Sequence, residues 1–506
     1  MHNFIRPAIA ALFLVAVGWF VDFRFGELDH AALLIFAAVV GGYMALNIGA
    51  NDVANNVGPA VGAFAITLGG AVLIAVIFEA AGALIAGGEV VKTVKKGIID
   101  PTVLGSGQSY IWAMCAALLG AAIWLNLATA LGAPVSTTHS IVGGVMGAGI
   151  AAAGWGAVNW TSMGAIASSW VISPVLGGIV AALLLMLLQR GVYQQDDMLA
   201  AARRVVPLMT AAMAWAFTAY LAMKGLKQVV KLELWMALVA GGVVAVAVLL
   251  VSRQRVAARV VGMEASRDNV NLLFTMPLIF GAALLSFAHG ANDVANAVGP
   301  LAGVYEALSS GGASEKVAIP RWIMVVGAIG LSLGLALFGP KLIRTVGSEI
   351  TELDRARAFC IALSAAVTVL IASQLGLPVS STHVALGAVF GVGFLREYLD
   401  SQAGKAIEAV LNEHGRDSHF LLEQRLHKLY DASPDEKKAV MKEIKSMKSR
   451  GMLSRDESKR LRKVIKRKLV KRQIFARIVS AWLITVPVSA ALSAMFFYML
   501  RGALMP

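Results

Sequence analysis

Long apolar runs recur along almost the whole chain. Two of them, residues 64–86 and 111–131, exceed the roughly 18 apolar residues that cross a bilayer as a helix. Of the 506 residues, 58% are hydrophobic and only 15% are charged. Because soluble domains have about a quarter of their residues charged, a soluble enzyme, a secreted disulfide scaffold and a disordered chain are excluded. The chain is predicted to lie in a membrane and, lacking a barrel pattern, to cross it as helices.

The positions of these runs predict an all-α polytopic membrane protein with about 11–12 transmembrane helices. The predicted spans are 7–22, 31–48, 63–86, 110–131, 164–188, 208–223, 233–251, 270–288, 320–338, 357–375 and 479–500. Two pieces, 141–153 and 384–395, are too short to cross alone and are interpreted as re-entrant half-helices. The run 8–21 is interpreted as a first span, because no small-residue cleavage site follows it.

One hydrophilic stretch, residues 396–477, carries much of the positive charge. It has 22 Lys+Arg and 12 Asp+Glu, a balance of +10 out of the chain's +14. Basic loops favour the cytoplasmic side of a membrane, so a cytoplasmic loop is expected rather than a nucleic-acid-binding segment. Ser433 and Ser454 each precede a Glu by three residues, which is the capping-box spacing. The stretch is therefore predicted to be a basic helical loop.

Two phrases occur twice in the chain, in the same order. Gly-Ala-Asn-Asp-Val-Ala-Asn-Asn-Val-Gly-Pro at 49–59 returns with one change at 290–300. Pro-Val-Ser-Thr-Thr-His at 134–139 returns as Pro-Val-Ser-Ser-Thr-His at 378–383. The offsets are 241 residues (293 − 52) and 244 residues (380 − 136). The sequence therefore predicts two related repeats.

The first phrase places acids and amides inside apolar segments. A carboxylate in hydrocarbon is costly, so Asp52 and Asp293 are interpreted as functional, each flanked by two asparagines. Hard oxygen ligands suit a small cation such as sodium, and the glycines and prolines that follow predict an unwound helix lining a cavity. The candidate ligands for sodium or a proton are Asn51, Asp52, Asn55, Asn292, Asp293, Asn296 and the intramembrane acid Glu79. For Glu79, a hydrogen bond with a hydroxyl on a neighbouring helix is the alternative interpretation.

The second phrase has the chemistry of a helix start. Three consecutive hydroxyls together with free backbone N–H groups at a helix N-terminus form an anion site. The candidate anion ligands are Ser136, Thr137, Thr138, Ser380, Ser381 and Thr382, with Asp52 and Asp293 beside them. His139 and His383 end the phrases and are interpreted as structural. An intramembrane hydrolase built from Ser136, His139 and Asp52 is disfavoured, because a hydrolase does not need two equal copies.

Both phrases resemble the signatures of the inorganic phosphate transporter family, over about residues 31–154 and 270–395. The resemblance is supported by Glu79 and by Lys-Lys-Gly-Ile-Ile-Asp at 95–100. It implies an inverted-repeat secondary transporter, a homodimer, that imports phosphate with sodium or protons. The hydroxyl phrases would bind phosphate, and Asp52, Asn55, Asp293 and Asn296 would bind the coupling cation and help to shape the phosphate site. The extra spans at about 208–251 and the position of the basic loop depart from the family pattern.

The expected function is symport of inorganic phosphate across the cell membrane by alternating access, without enzymatic activity and with no cofactor beyond the coupling cation. Phosphate is favoured over sulfate because phosphate keeps a proton that can be donated to an aspartate. A sulfate permease of the same family and an anion channel remain as alternatives. The expected layout is 1–30 first span, 31–190 first repeat, 191–269 inserted spans, 270–395 second repeat, 396–477 basic loop and 478–506 last span.

Overall fold

The chain is described here from a computed structural model. The described residues are 2–28, 30–104, 107–130, 135–224, 233–310, 319–349, 354–412 and 472–504. The helix starts predicted at Ser433 and Ser454 lie outside these ranges, as does Pro134.

Within the described ranges the chain is almost entirely helical. The helices are α1 His2–Phe25, α2 Ala31–Gly62, α3 Leu68–Ala86, α4 Gly88–Lys92, α5 Gly107–Ala130, α6 Thr137–Ala153, α7 Trp160–Leu188, α8 Met198–Lys224, α9 Leu234–Val260, α10 Arg267–Leu273, α11 Thr275–Ser310, α12 Arg321–Glu349, α13 Arg355–Gln374, α14 Ser381–Asn412 and α15 Arg472–Leu504. Eleven of them are long and apolar enough to cross a membrane, which confirms the predicted polytopic all-helical fold.

The helices that carry the Asp/Asn phrases are continuous. Unwinding after each phrase was predicted and is wrong: α2 runs through its phrase to Gly62, and α11 runs through its phrase to Ser310. Pro59 and Pro300 lie inside these helices. Each proline lacks only its own N–H, and the buried surroundings keep the rest of the helix in place.

The two halves of the chain interleave. Helix α2 packs along α12, and α11 packs along α3. These pairs approach so closely that a Cβ at Gly49 would overlap the backbone of Leu331, and a Cβ at Gly290 would overlap the backbone of Glu79. The same relation recurs one turn away, where Gly334 meets Leu46 and Gly82 meets Phe287. Helices of one half therefore pack on helices of the other, at matching positions.

Helices α5 and α6 form a hairpin whose ends meet. The N–H of Asp100 donates to the carbonyl of Ala157 at 2.9 Å, and the N–H of Asn159 donates to the carbonyl of Ile98 at 2.9 Å. The chain thus returns, after α6, to the level at which it entered α5. The piece 141–153, predicted as a half-helix, forms most of α6.

A buried ion pair fastens the segment before this hairpin to α11. The Nζ atoms of Lys95 and Lys96 lie 2.6 and 2.8 Å from the carboxylate of Glu306, near the end of α11. The hydroxyl of Tyr110, in the first turn of α5, donates to the carbonyl of Lys95 at 2.6 Å. These contacts hold the hairpin base against the helix that carries the second Asp/Asn phrase.

By compactness the chain divides into two units, Met1–Gly391 with Gln473–Pro506, and Val392–Arg472. Every site residue discussed below lies in the first unit. The described part of the second unit is the C-terminal portion of α14, which continues as helix to Asn412, together with Arg472. The predicted half-helix 384–395 is therefore longer than expected from its apolar residues alone.

Candidate functional site

Each hydroxyl phrase starts a helix, as predicted. The side chain of Ser136 caps α6 by accepting a hydrogen bond from the N–H of His139 at 3.2 Å. Ser380 accepts in the same way from the N–H of His383, at 3.3 Å, at the start of α14. Both serines are buried. The structure thus brings two helix N-termini, each rich in hydroxyls, into the interior of the protein.

Asp52 on α2 receives hydroxyl donors from both phrases. Thr137 donates to Oδ2 at 3.0 Å, and Thr382 donates to Oδ1 at 3.1 Å. The amide of Asn51 also donates to Oδ1, at 3.1 Å. The carboxylate is only 1% exposed, so these donors supply the stabilisation that water would give a surface carboxylate.

Asp293 on α11 has the corresponding place in the second half. Ser381 donates to its Oδ2 at 2.8 Å, as Thr137 does to Asp52. The side chain of Asp293 is fully buried. Each aspartate is therefore bonded to the second hydroxyl of its own half's phrase.

Asn55 and Asn296, each three residues after its aspartate, form hydrogen bonds with the other half of the chain. Asn55 donates to the hydroxyl of Thr382 at 2.8 Å, and Asn296 donates to the hydroxyl of Thr138 at 3.1 Å. Each asparagine thus contacts the third hydroxyl of the other half. This reciprocity, in which residue i contacts j′ and i′ contacts j, is typical of two parts related by a two-fold axis.

The first asparagine of each phrase, Asn51 or Asn292, contacts backbone just before the hydroxyls of its own half. The amide of Asn292 donates to the hydroxyl of Ser373 at 2.9 Å and to the carbonyl of Leu377 at 3.1 Å, and its oxygen accepts from the N–H of Val379. Asn51 approaches the carbonyl of Val135 at a longer distance, 3.5 Å. Both were predicted as cation ligands, and their contacts in this structure are with backbone and neighbouring side chains.

Glu79 belongs to a polar cluster on one side of the site. Its Oε1 accepts from the amide of Asn56 at 2.8 Å and lies 3.1 Å from Nδ1 of His289. The other ring nitrogen of His289 lies 2.9 Å from Asp293 and 3.7 Å from Asp52. One imidazole therefore touches all three intramembrane carboxylates that the sequence singled out.

Sequence reasoning missed His289. It lies one residue before the second Gly-Ala-Asn-Asp phrase, and the first copy has Ile48 at the matching position, so the repeat gave no signal. Its distance of four residues from Asp293 places both on one face of α11, which is the signal that could have found it. Asp52, His289 and Asp293 each offer one ligand atom within 4.8 Å of the others, a spacing that could hold a cation.

This polar cluster has no copy in the other half. Leu331 contacts Gly49 as Glu79 contacts Gly290, so Leu331 is the residue that corresponds to Glu79 in the other half. The repeat offset of 241 residues pairs Ile48 with His289 and Ala297 with Asn56. The three matching positions are therefore all apolar. The hydroxyl and aspartate part of the site is duplicated, whereas the glutamate and histidine part is single.

The site is buried but not sealed. Ser136, Thr137, Thr138, Ser380, Ser381, Asn292 and Asn296 are all buried. In contrast Asn51, Asn55 and Thr382 are half-buried, so the edge of the site formed by α2 and the start of α14 is accessible. The hydroxyl of Ser136 is engaged in the cap and Asp52 is bonded to Thr137, so these residues are arranged as a capped helix start and not as a Ser-His-Asp relay.

Eleven helices of membrane-spanning length surround a duplicated cluster of hydroxyls, amides and carboxylates. The fold and this site place the chain among polytopic, all-helical membrane transport proteins. Within that class, the chain belongs to the phosphate transporter family, whose profile matches residues 48–493.

Relatives and a solved structure agree with that membership. A "Putative phosphate permease" of Helicobacter pylori is 50% identical over 504 residues, covering 97% of this chain and 94% of the relative. A "Putative phosphate permease" of Pyrococcus abyssi is 40% identical over 370 residues, covering 73% of this chain and 90% of the relative. A solved structure described as "The sodium-dependent phosphate transporter" is 33% identical, with a TM-score of 0.76, and covers 94% of this chain and 100% of its own.

Proposed function

We propose that the protein imports inorganic phosphate across the cell membrane by cation symport through alternating access. The observation that carries this proposal is the reciprocal interleaving of two hydroxyl phrases with two Asp/Asn phrases at one buried site. Such an arrangement puts anion donors and cation ligands in direct contact, so that binding of one ion alters the site of the other.

The anion is proposed to bind between the starts of α6 and α14. Each start offers hydroxyls and first-turn N–H groups, and the helix dipoles favour negative charge there. A phosphate with one proton can also donate a hydrogen bond to Asp52 or Asp293, whereas sulfate has no proton to donate. The buried carboxylates therefore favour phosphate over sulfate.

The cation is proposed to bind at the Asp52 and Asp293 clusters. Besides the carboxylates, each cluster has amide oxygens from the neighbouring asparagines, Asn51 and Asn55 in the first and Asn292 and Asn296 in the second. Hard oxygens of these kinds suit sodium. The sodium-dependent relative of similar structure supports sodium over a proton as the coupling ion.

The hydrogen bonds suggest how the two ions are coupled. The hydroxyls of Thr137, Ser381 and Thr382 donate hydrogen bonds to the aspartates. A cation that binds the carboxylate oxygens weakens their hydrogen bonds with these hydroxyls. The same hydroxyls can then donate hydrogen bonds to the anion. The cation also offsets the repulsion between a phosphate dianion and two carboxylates, which amounts to about 4 kcal/mol per unit-charge pair at 4 Å and an effective dielectric of 20.

Alternating access is proposed to arise from the relation between the halves. The reciprocal contacts of Asn55 and Asn296, together with the matched helix pairing, support an inverted-repeat arrangement. Two halves of this kind can exchange conformations about a fixed central site. Assembly as a homodimer stays a prediction.

The test is uptake of labelled phosphate by liposomes that contain the purified full chain. Under an inward sodium gradient we expect accumulation above equilibrium that excess sulfate does not block. A channel would equilibrate phosphate without accumulating it, and block by sulfate would indicate a sulfate permease. Accumulation driven by a proton gradient, with no effect of sodium, would refute sodium as the coupling ion.

The matched variant for this test is the double change Ser136→Ala with Ser380→Ala. It removes one hydroxyl from each phrase, and we expect a larger rise in the half-saturating phosphate concentration than either single change gives. An unchanged value in the double variant would contradict the placement of the anion between the two helix starts.

A further inference from the structure

Two histidines meet between the two helix starts. The rings of His139 and His383 lie with centroids 4.6 Å apart and are inclined by 40°. Both residues are buried, 4% and 1% exposed. Each is the third residue after its helix cap, so each ring extends from the first turn of a helix whose N-terminus carries three hydroxyls.

A tryptophan joins the pair and connects it to the opposite phrase. The ring of Trp170, on α7, lies 3.8 Å from that of His139, centroid to centroid. Its Nε1–H donates to the carbonyl of Pro378, the first residue of the second phrase, at 3.0 Å. Trp170 thus contacts the histidine of one phrase and the backbone of the other.

A polar contact between the phrases accompanies this ring cluster: the hydroxyl of Thr138 donates to the carbonyl of Val379 at 3.0 Å. The Nδ1 atom of His139 has no hydrogen bond within the described part of the chain, so the histidine contact is one of ring packing. The two packed rings therefore help to set how closely the first turns of α6 and α14 approach each other, beside the Thr138 bond and the bonds of both helix starts to Asp52.

From this geometry we propose that His139, His383 and Trp170 form a spacer that sets the width of the anion site and thereby selects among tetrahedral oxyanions by size. The proposal rests on the proposed function and adds positioning residues to it. Binding groups must be held within about 0.5 Å of their working geometry. If a ring is removed, the spacing of the helix starts is no longer fixed, so the hydroxyls no longer fit phosphate better than a larger oxyanion.

Arsenate is the probe for this idea. It has the charge, shape and protonation of phosphate but longer bonds to oxygen, so discrimination between the two reports the width of the site and not its charge. The full-length protein in detergent is titrated with phosphate and with arsenate in sodium, and the dissociation constants are read from the shift of the thermal unfolding midpoint. Liposome uptake gives KM and the maximal rate separately.

We expect His139→Ala and His383→Ala each to raise the phosphate dissociation constant roughly tenfold, since a displacement of about 1 Å can cost a hundredfold. The arsenate dissociation constant should rise less, so that the ratio of the arsenate to the phosphate dissociation constant falls. The maximal rate of uptake should stay within about twofold of wild type. The double variant should be no weaker than either single one, because both changes remove the same contact. His139→Phe should restore phosphate affinity, because it returns a ring of similar size.

Val142→Ala is the control, a buried residue of α6 one turn beyond His139, and it should leave discrimination unchanged. Where an alanine variant does not fold, Trp170→Phe keeps the ring but removes the bond to Pro378, and a smaller loss of phosphate affinity is expected. Unchanged discrimination in the histidine variants, additive losses in the double variant, or a failure of His139→Phe to restore binding would each overturn the spacer. Wild-type protein that binds no phosphate would instead refute the proposed function itself.

Discussion

Replacement of Asp52 by asparagine tests the coupling scheme most directly. Asparagine has nearly the same shape, so one of the hydroxyls of Thr137 and Thr382 keeps an acceptor oxygen and the other can turn to accept from the new amide N–H. What the change removes is the negative charge at the point where both phrases meet. We therefore expect the fold to persist and the cation site to fail.

The size of the effect follows from the charge that is lost. A monovalent cation about 4 Å from a carboxylate gains about 4 kcal/mol at an effective dielectric of 20. Since each 1.4 kcal/mol changes a binding constant about tenfold, Asp52→Asn should weaken sodium binding by roughly three decades. A loss of that size abolishes sodium-driven accumulation at any practical sodium concentration.

The assay is phosphate uptake by liposomes as a function of external sodium, with the unfolding midpoint measured in parallel. Asp100→Asn is the matched control, because Asp100 is exposed and lies between the predicted membrane spans. Hydrogen bonds from the hydroxyl and the N–H of Thr102 hold the pKa of Asp100 below its ordinary value, so this control also removes a full charge. A half-saturating sodium concentration in Asp52→Asn within threefold of wild type would refute the reasoning.

Three further outcomes are expected. Glu306→Gln leaves its two lysine partners without their carboxylate and should cost about 3 kcal/mol of unfolding free energy, seen as a lower unfolding midpoint; an unchanged midpoint would contradict a stabilising pair. Gly290→Ala should abolish uptake by separating α11 from α3, whereas Gly242→Ala on α9, where an added Cβ meets nothing within 4 Å, should not; similar uptake in both would contradict the close helix contact. His289→Ala leaves three carboxylates facing one another, so sodium should raise its unfolding midpoint more than it raises that of wild type, and equal shifts would argue against a shared site.

Much of the site could be predicted because its chemistry is local. Ser136 and Ser380 begin helices in the structure, as the order of proline, valine and hydroxyl residues indicated. Asp52 and Asp293 were singled out because a carboxylate in an apolar segment needs partners, and the structure supplies hydroxyl donors to both. The duplication itself could be recognised from the sequence alone.

Other features could not be predicted because they depend on partners far along the chain. The helix of the first Asp/Asn phrase was expected to unwind after Gly58 and Pro59, but its packing on α12 keeps it helical. Local propensity argued for a break, and tertiary burial of the helix outweighed it. His289 was overlooked because only its contacts with Glu79 and the aspartates, on three different helices, reveal its place in the site.

The sequence by itself determined that this chain is a membrane protein with two copies of one pattern of hydroxyls, amides and intramembrane carboxylates, because hydropathy, helix caps and buried charges act over a few residues. Which asparagine forms a hydrogen bond with which hydroxyl phrase was decided only by the tertiary structure. Asn55 bonds to Thr382, 327 residues away, and not to the matching Thr138 of its own half. The physical reason is that α2 packs on α11, so that Asp52 reaches hydroxyls of both phrases, while Asn55 and Asn296, one turn further along their helices, each face the phrase of the other half.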